Sequence, residues 1–237
     1  MLTLCFGAFG TGKTTYLLEE IAADIEAGIP SFLVVPEQNT VNVEAMAARR
    51  LPPEAPLSFE VTNFTRLADT VFRLVGGISA RYADESTALL LARDATAAVA
   101  PLLSDRRRID GDRVREVMRA VRECKISAVT PEQLATAAES LGGESALSRK
   151  LSDLSLLLAS FGGTMEAHGR ALPADGLARL ADTLARHNPL AGARFYLDGF
   201  TSFTAVQRAV LGELLVSSDV TVTLPMPKGR AAKQSLS

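Results

Sequence analysis

With 237 residues, 47% of them hydrophobic, the chain can bury a sizeable core as one large domain or as a domain carrying an insertion. A formal net charge of −2 excludes wholesale electrostatic attraction to nucleic acid and leaves room only for a local basic patch. Cys5 and Cys124 are the only cysteines, which excludes a disulfide framework and a cysteine-type metal site and fits a reducing, cytoplasmic setting. His168 and His187 lack ligand partners at metal spacing, no apolar run reaches membrane-spanning length, and the first residues do not read as a signal peptide.

The chain opens on a short apolar run, Leu2 to Phe6, which predicts a buried strand. Next come Gly7-Ala8-Phe9-Gly10-Thr11-Gly12-Lys13-Thr14, a match to the phosphate-loop pattern G-x-x-x-x-G-K-[ST] at every fixed position. Leu17, Leu18, Ile21, Ala22 and Ile25 then fall at helical spacing, with Gly28 at the C-cap position. The loop therefore lies between a strand and a helix, the context its chemistry requires. Glycines there let backbone N–H groups turn inward around an anion, and the helix N-terminus adds its positive dipole end. Lys13 is a point charge for the β- and γ-phosphates of ATP, and the Thr14 hydroxyl is placed for Mg²⁺. Thr15 reads as a helix residue beside the nucleotide and not as a second metal ligand.

Ser31 to Val35 predicts a second buried strand, stopped by Pro36. Glu37-Gln38-Asn39-Thr40 leads into a helix through about Arg50, and Pro52, Pro53 and Pro56 break the chain. Leu57 to Val61 predicts a third strand. Asn63 can cap the helix after it, whose apolar face is Phe64, Leu67, Ala68, Val71, Phe72 and Val75, ended by Gly76-Gly77. From Tyr82 to about Asn188 no strand of convincing length is visible. About five helices are expected there, over 84–104, 112–124, 131–141, 146–168 and 174–187, with a capping box at Thr130-Pro131-Glu132-Gln133.

The alternation of strand and helix then returns. Ala193 to Asp198 predicts a strand ending in a carboxylate, Thr204-Ala205-Val206-Gln207 opens a helix to about Val216, and Val220 to Leu224 alternates as a strand. The fold class is α/β, a P-loop NTPase with a parallel sheet of about five strands and a helical insertion between the third and fourth. Residues 1–80 and 190–227 are expected to form the lobe and 81–189 the insertion. Residues 228–237 are expected to be a disordered tail or cut linker.

A phosphate loop needs an acidic partner that holds water on Mg²⁺. Asp198, at the carboxyl end of an apolar strand, stands at the sheet edge where ligands collect, although Asp198-Gly199 is also a turn signal. Rapid ATP hydrolysis often relies on a Glu after this Asp to polarise the attacking water; here that residue is Gly199. Glu37, at the end of the second strand, is the one candidate for approaching the γ-phosphate. With only Met1 before the first strand, base selectivity is expected to be loose.

Four stretches together resemble the N-terminal region of the B subunit of AddAB-type helicase–nucleases, which process double-strand DNA ends for recombination. They are the loop Gly7 to Thr14; Phe32-Leu33-Val34-Val35-Pro36-Glu37-Gln38; Val61-Thr62-Asn63-Phe64-Thr65-Arg66-Leu67-Ala68; and Tyr196-Leu197-Asp198-Gly199-Phe200-Thr201-Ser202-Phe203-Thr204. Their order also resembles the first RecA-like lobe of superfamily 1 helicases, which carries a helical insertion. The resemblance covers about residues 1–224, the helical block only in character. It implies an ATP-binding lobe that pairs with an AddA-type subunit, contacts DNA as single strand and duplex end, and has lost most motor function. A full AddB-type protein is several times longer, so the chain reads as an N-terminal fragment or a short relative without nuclease residues.

The resemblance points to Gln38, Asn39 and Thr40, and to Thr62, Asn63, Thr65 and Arg66, as strand contacts, with Phe64 stacking on a base. Helix capping by Asn63 and a core role for Phe64 are the alternatives. A further DNA candidate lies in the helical block, where residues 106–125 hold eight basic and four acidic side chains. Arg115, Arg119 and Arg122 share one helix face, backed by Val114, Val117, Met118 and Val121; the alternative is a solvated face paired to Glu116 and Glu123. Two other functions compete with the helicase–nuclease lobe. One is a stand-alone phosphotransferase with the helical block as a lid, its arginines drawn from Arg106, Arg107 and Arg108. The other is a scaffold lobe in which nucleotide is structural or absent.

Overall fold

The computed structural model describes residues 1–76, 81–142 and 145–226. Gly77 of the expected helix end and the expected tail over 228–237 lie outside them. The chain divides into two compact units. The first takes in the described residues among 1–77, 180–203 and 207–237, the second those among 78–179 and 204–206.

The first unit is built on a five-stranded parallel sheet. Its strands are β1 (Leu2–Gly7), β2 (Ser31–Val34), β3 (Phe59–Thr62), β6 (Arg194–Leu197) and β7 (Asp219–Pro225). The spatial order is β1-β7-β6-β2-β3. Register aligns Leu2 with Val220, Val34 with Leu197 and Val34 with Thr62. The central strands carry near-continuous apolar runs, as strands covered on both faces must. Leu33, Val34, Phe195 and Leu197 are all buried. The helices are α1 (Lys13–Glu26), α2 (Thr40–Arg50), α3 (Phe64–Leu74) and α9 (Ala205–Ser217). From α1, Leu17, Leu18 and Ile21 pack with Leu33, Val35, Val61 and Tyr196 in one core cluster. Each such side chain contributes about 1.5–3 kcal/mol on full burial.

The expectation of a buried first strand needs correction. β1 lies at an edge of the sheet, and Leu2, Leu4 and Phe6 are 51%, 36% and 51% exposed. An apolar run of this length does not distinguish a central strand from an edge one. At the opposite end of the sheet from the glycine-rich loop sits a buried polar knot. Asp24 accepts hydrogen bonds from the Ser31 hydroxyl at 2.9 Å and the Tyr196 hydroxyl at 2.6 Å, and pairs with Arg194. Burial, followed by the bond to Asp24, pushes the Tyr196 hydroxyl well above its ordinary value.

The second unit is helical: α4 (Glu85–Val99), α5 (Gly111–Ile126), α6 (Pro131–Ser140) and α7 (Ala146–Ala167). The helix α8 (Pro173–Arg186) follows. These agree with the expected spans because the starts are well capped. Asp84, Asp110 and Ser145 each accept a bond from a first-turn N–H, and Thr130 with Gln133 forms the complete capping box. The core is one cluster that includes Leu91, Val117, Met118, Leu158 and Phe161. Asp153 on α7 ties down the loop before α5, accepting from the Ser104 N–H and hydroxyl, both at 2.7 Å. A parallel ribbon of two short strands, β4 (Arg81–Tyr82) and β5 (Arg170–Ala171), departs from the all-helical expectation for this block. Strands of two residues carry no readable alternation.

Candidate nucleotide-binding site

The glycine-rich loop leaves β1 at Gly7 and enters α1 at Lys13. Gly12 is the N-cap of α1, with φ 85°, a left-handed conformation that glycine adopts without strain. It brings no side chain to the first turn, so no side-chain cap occupies the orphan N–H groups of α1. They remain available to an anion. Lys13 folds back over the loop, its ammonium donating to the carbonyls of Gly7 at 2.9 Å and Ala8 at 2.8 Å. The Phe9 ring stands 86% exposed, with the Lys13 nitrogen 5.8 Å from its centroid. The Thr11 hydroxyl donates to the Ala8 carbonyl at 2.8 Å, which steadies the turn.

Asp198 follows the last residue of β6 and is 8% exposed. One of its oxygens accepts the Thr14 hydroxyl at 2.5 Å, and the other accepts the Thr223 hydroxyl. Thr223 belongs to β7, the strand lying between β1 and β6. Sheet order thus sets the carboxylate one strand away from the glycine-rich loop, with a buried hydroxyl between them. Sequence reasoning misses Thr223 because an alternating strand gives no sign of what its neighbour carries.

A cleft of about 480 Å³ opens here. Gly10, Gly12, Lys13, Thr14 and Thr15 line it from the loop side, Asp198, Gly199 and Thr201 from the end of β6, and Asn39 and Asn42 from the start of α2. The residues fit a Mg²⁺–nucleotide. The uncapped start of α1 and Lys13 can take phosphates, and the Thr14 hydroxyl and Asp198 carboxylate meet at one point. Among the described residues no group of three or more His, Cys, Asp or Glu side chains could hold a metal by itself. A cation at Thr14 therefore needs phosphate oxygens and water to complete its shell, which is the habit of Mg²⁺.

Glu37 is exposed and outside the lining of the cleft, whereas Asn39 is part of it. Asn42, one turn beyond Asn39, also escapes the sequence reading; its spacing of three residues on a helix start is the available signal. Gly199 has φ 79°, and a Cβ on it would come within 3.3 Å of the Asn39 amide nitrogen.

The residues proposed for DNA differ sharply in exposure. Gln38 and Arg66 are exposed, and Arg66 pairs with Glu44 at 2.8 Å. Thr40, Thr62 and Asn63 are buried, and the Asn63 side chain accepts the Arg66 N–H at 2.9 Å as a helix cap. Phe64 is 5% exposed and meets Phe200 edge-on, with ring centroids 5.6 Å apart, so no face is open to a base. In the second unit, Arg115 pairs with Asp112 at 2.5 Å and Arg122 with Glu85; Arg119 is on the same helix without an ion pair among the described residues. Glu116 is engaged by Arg107 and Arg113 instead.

A family model described as "ADDB, N-terminal" matches residues 4–236. The chain belongs to this family. AddB-type relatives agree in extent. A Thermoanaerobacter protein, named as the B subunit of an ATP-dependent helicase/deoxyribonuclease, is 32% identical over 227 residues, covering 93% of this chain and 20% of its own. Proteins of the same name from Desulforudis audaxviator and Bacillus subtilis are 32% and 29% identical, covering 90% and 94% of this chain and 19% and 20% of their own. The chain thus spans about a fifth of the length of the curated AddB-type relatives it matches. No helix among the described residues is long and apolar enough to cross a membrane.

Proposed function

We propose that this chain is the nucleotide-binding lobe of an AddB-type subunit in a helicase–nuclease that processes double-strand DNA ends, and that it binds Mg²⁺–ATP with little turnover of its own. The observation that carries the reading is the meeting of Thr14 and Asp198 at 2.5 Å beside an uncapped helix start. Lys13, which donates to the carbonyls of Gly7 and Ala8, would instead hold the β- and γ-phosphates, exchanging two neutral acceptors for charged ones. The N–H groups of Gly10 and of Gly12 to Thr14 would cradle the same phosphates. Thr14 and Asp198 would hold a Mg²⁺ ion, which when bound would neutralise phosphate charge. Thr223 holds the Asp198 carboxylate in place from the neighbouring strand.

Slow turnover follows from Gly199, which has no group to polarise water. In the same reading the lobe works in the cytoplasm with an AddA-type partner. Gln38, Asn39, Thr65 and Arg66 are the accessible members of the two DNA-facing stretches. Calorimetric titration of Mg²⁺–ATP tests the proposal. Lys13→Ala and Asp198→Asn should each weaken binding about ten- to a hundredfold, as loss of charge-assisted contacts does. Absence of binding by the unmodified chain at millimolar nucleotide would favour the scaffold role instead.

A further inference from the structure

An open cavity of about 770 Å³ is lined by residues of the second unit and shares no lining residue with the nucleotide cleft. Its charged lining is unbalanced. Asp175 is already committed, accepting the Lys125 ammonium at 2.6 Å and the Leu172 N–H at 3.0 Å. In all, Arg81, Lys125, Arg170 and Arg179 line it against the two carboxylates of Asp175 and Glu166. Neither Arg81 nor Arg170 is ion-paired among the described residues, although Arg170 is close enough to Asp84 to help hold that carboxyl below its ordinary value, after the cap bonds from Thr87.

Two features make this more than a scatter of surface arginines. Arg81 and Arg170 are register partners in the parallel ribbon β4–β5, so their side chains leave the same face side by side. Like charges directly opposite on a sheet repel, and an anion between them removes the penalty. The second feature is Gly162, in the interior of the 22-residue helix α7. Glycine there costs about 1 kcal/mol relative to alanine. A Cβ at Gly162 would meet nothing within 4 Å, so close packing does not require the glycine, and a larger side chain there would enter the space that Gly162 lines. The volume is within the range of sites that take small ligands or part of a larger one.

We propose that this cavity binds a phosphate group, with Arg81 and Arg170 as a guanidinium fork and Gly162 holding the space open. The shared chemistry admits a backbone phosphate of nucleic acid or a small phosphorylated compound, because arginine pairs recognise either bidentately. The site stands independently of the nucleotide reading.

The test uses the 237-residue chain carrying Lys13→Ala, so that the loop before α1 does not take the probe. One arm titrates inorganic pyrophosphate by calorimetry, the other a fluorescein-labelled oligothymidylate by anisotropy across salt concentrations. Arg81→Gln combined with Arg170→Gln should weaken binding about tenfold or more without moving the thermal midpoint. Gly162→Met, which keeps every charge, should weaken it similarly while the midpoint holds or rises. Loss in the oligothymidylate arm, with a salt slope shallower by about 0.7 per lost contact, assigns a nucleic-acid backbone; loss confined to pyrophosphate assigns a small phosphorylated ligand. Weakening by the arginine changes alone, with Gly162→Met neutral, places the phosphate outside the cavity and overturns the site. Unchanged binding in both variants, or no binding of either probe by the Lys13→Ala protein, overturns it as well. Mg²⁺–ATP titration of the unmodified chain reports on the nucleotide site separately.

Discussion

Replacing Asp24 by alanine should unfold the first unit far more easily while leaving nucleotide affinity intact at low temperature. Asp24 is 1% exposed and serves three donors from two strands. Bonds to a charged acceptor contribute about 1.5 kcal/mol or more each, so the buried Ser31 and Tyr196 hydroxyls account for about 3 kcal/mol. The Arg194 side chain is 39% exposed, and solvent screening limits its share to about 1 kcal/mol. The sum, about 4 kcal/mol, corresponds to a fall in midpoint of about 8–16 °C for a chain of this size. Urea denaturation followed by far-ultraviolet circular dichroism reads it directly, as a lower midpoint concentration at unchanged slope. Ser31 and Arg194 begin their strands, whereas Asp198 follows the end of β6, so the knot and the glycine-rich loop occupy opposite ends of the sheet. A loss below about 1.5 kcal/mol would refute the view that these bonds, and not the apolar face of α1, tie its last turn to the sheet.

Gly199→Glu should not create an ATPase: with φ 79° a side chain costs about 1–2 kcal/mol in backbone strain, and Asn39 crowds it, so turnover above the parent chain would contradict the geometry. Thr223→Val keeps the strand but removes one bond to Asp198, and should weaken Mg²⁺-dependent ATP binding about fivefold; an unchanged titration would remove Thr223 from the site. Reversing Arg115, Arg119 and Arg122 to glutamate should weaken duplex-end binding by the assembled complex and make its salt dependence shallower, with ATP binding unaltered, whereas an unaltered salt slope marks a solvated face. The Asp105 carboxyl is held down to about 2, first by its side-chain bond to Arg107 and then by the Arg107 N–H. It takes up its proton less readily folded than unfolded. The resulting stability is complete above its ordinary value of 3.8 and drains away as pH falls toward 2. Acid titration of Asp105→Asn should lack that part of the decline.

The glycine-rich loop of the candidate site is legible in the sequence because its pattern is local: eight consecutive residues carry the glycines, the lysine and the threonine at fixed offsets. Asp198 is legible for a different reason, as a carboxylate ending an apolar run. Helix limits in the second unit follow from caps such as Thr130 and Asp110, whose side-chain bonds span three residues. What stays hidden depends on neighbours distant in sequence. Thr223 reaches Asp198 only through strand order, Phe64 is closed off by Phe200, and Arg81 stands beside Arg170 across 88 intervening residues. The exposure of β1 is hidden for the same reason, since Leu2 to Phe6 reads identically at the centre of a sheet and at its margin.

That margin has a practical side. Among the described residues β1 pairs on one side only, and a strand with such a margin offers a row of main-chain donors and acceptors, to which Leu2, Leu4 and Phe6 add greasy contacts. In concentrated solution such a flank templates self-association, the first step toward precipitates and fibres. Handling the isolated lobe for calorimetry or crystallisation is therefore a contest between concentration and stickiness. Natural sheets settle that contest with a single lysine on the rim, which makes Thr3→Lys, one residue from the flank's greasy centre, a sensible solubilising change.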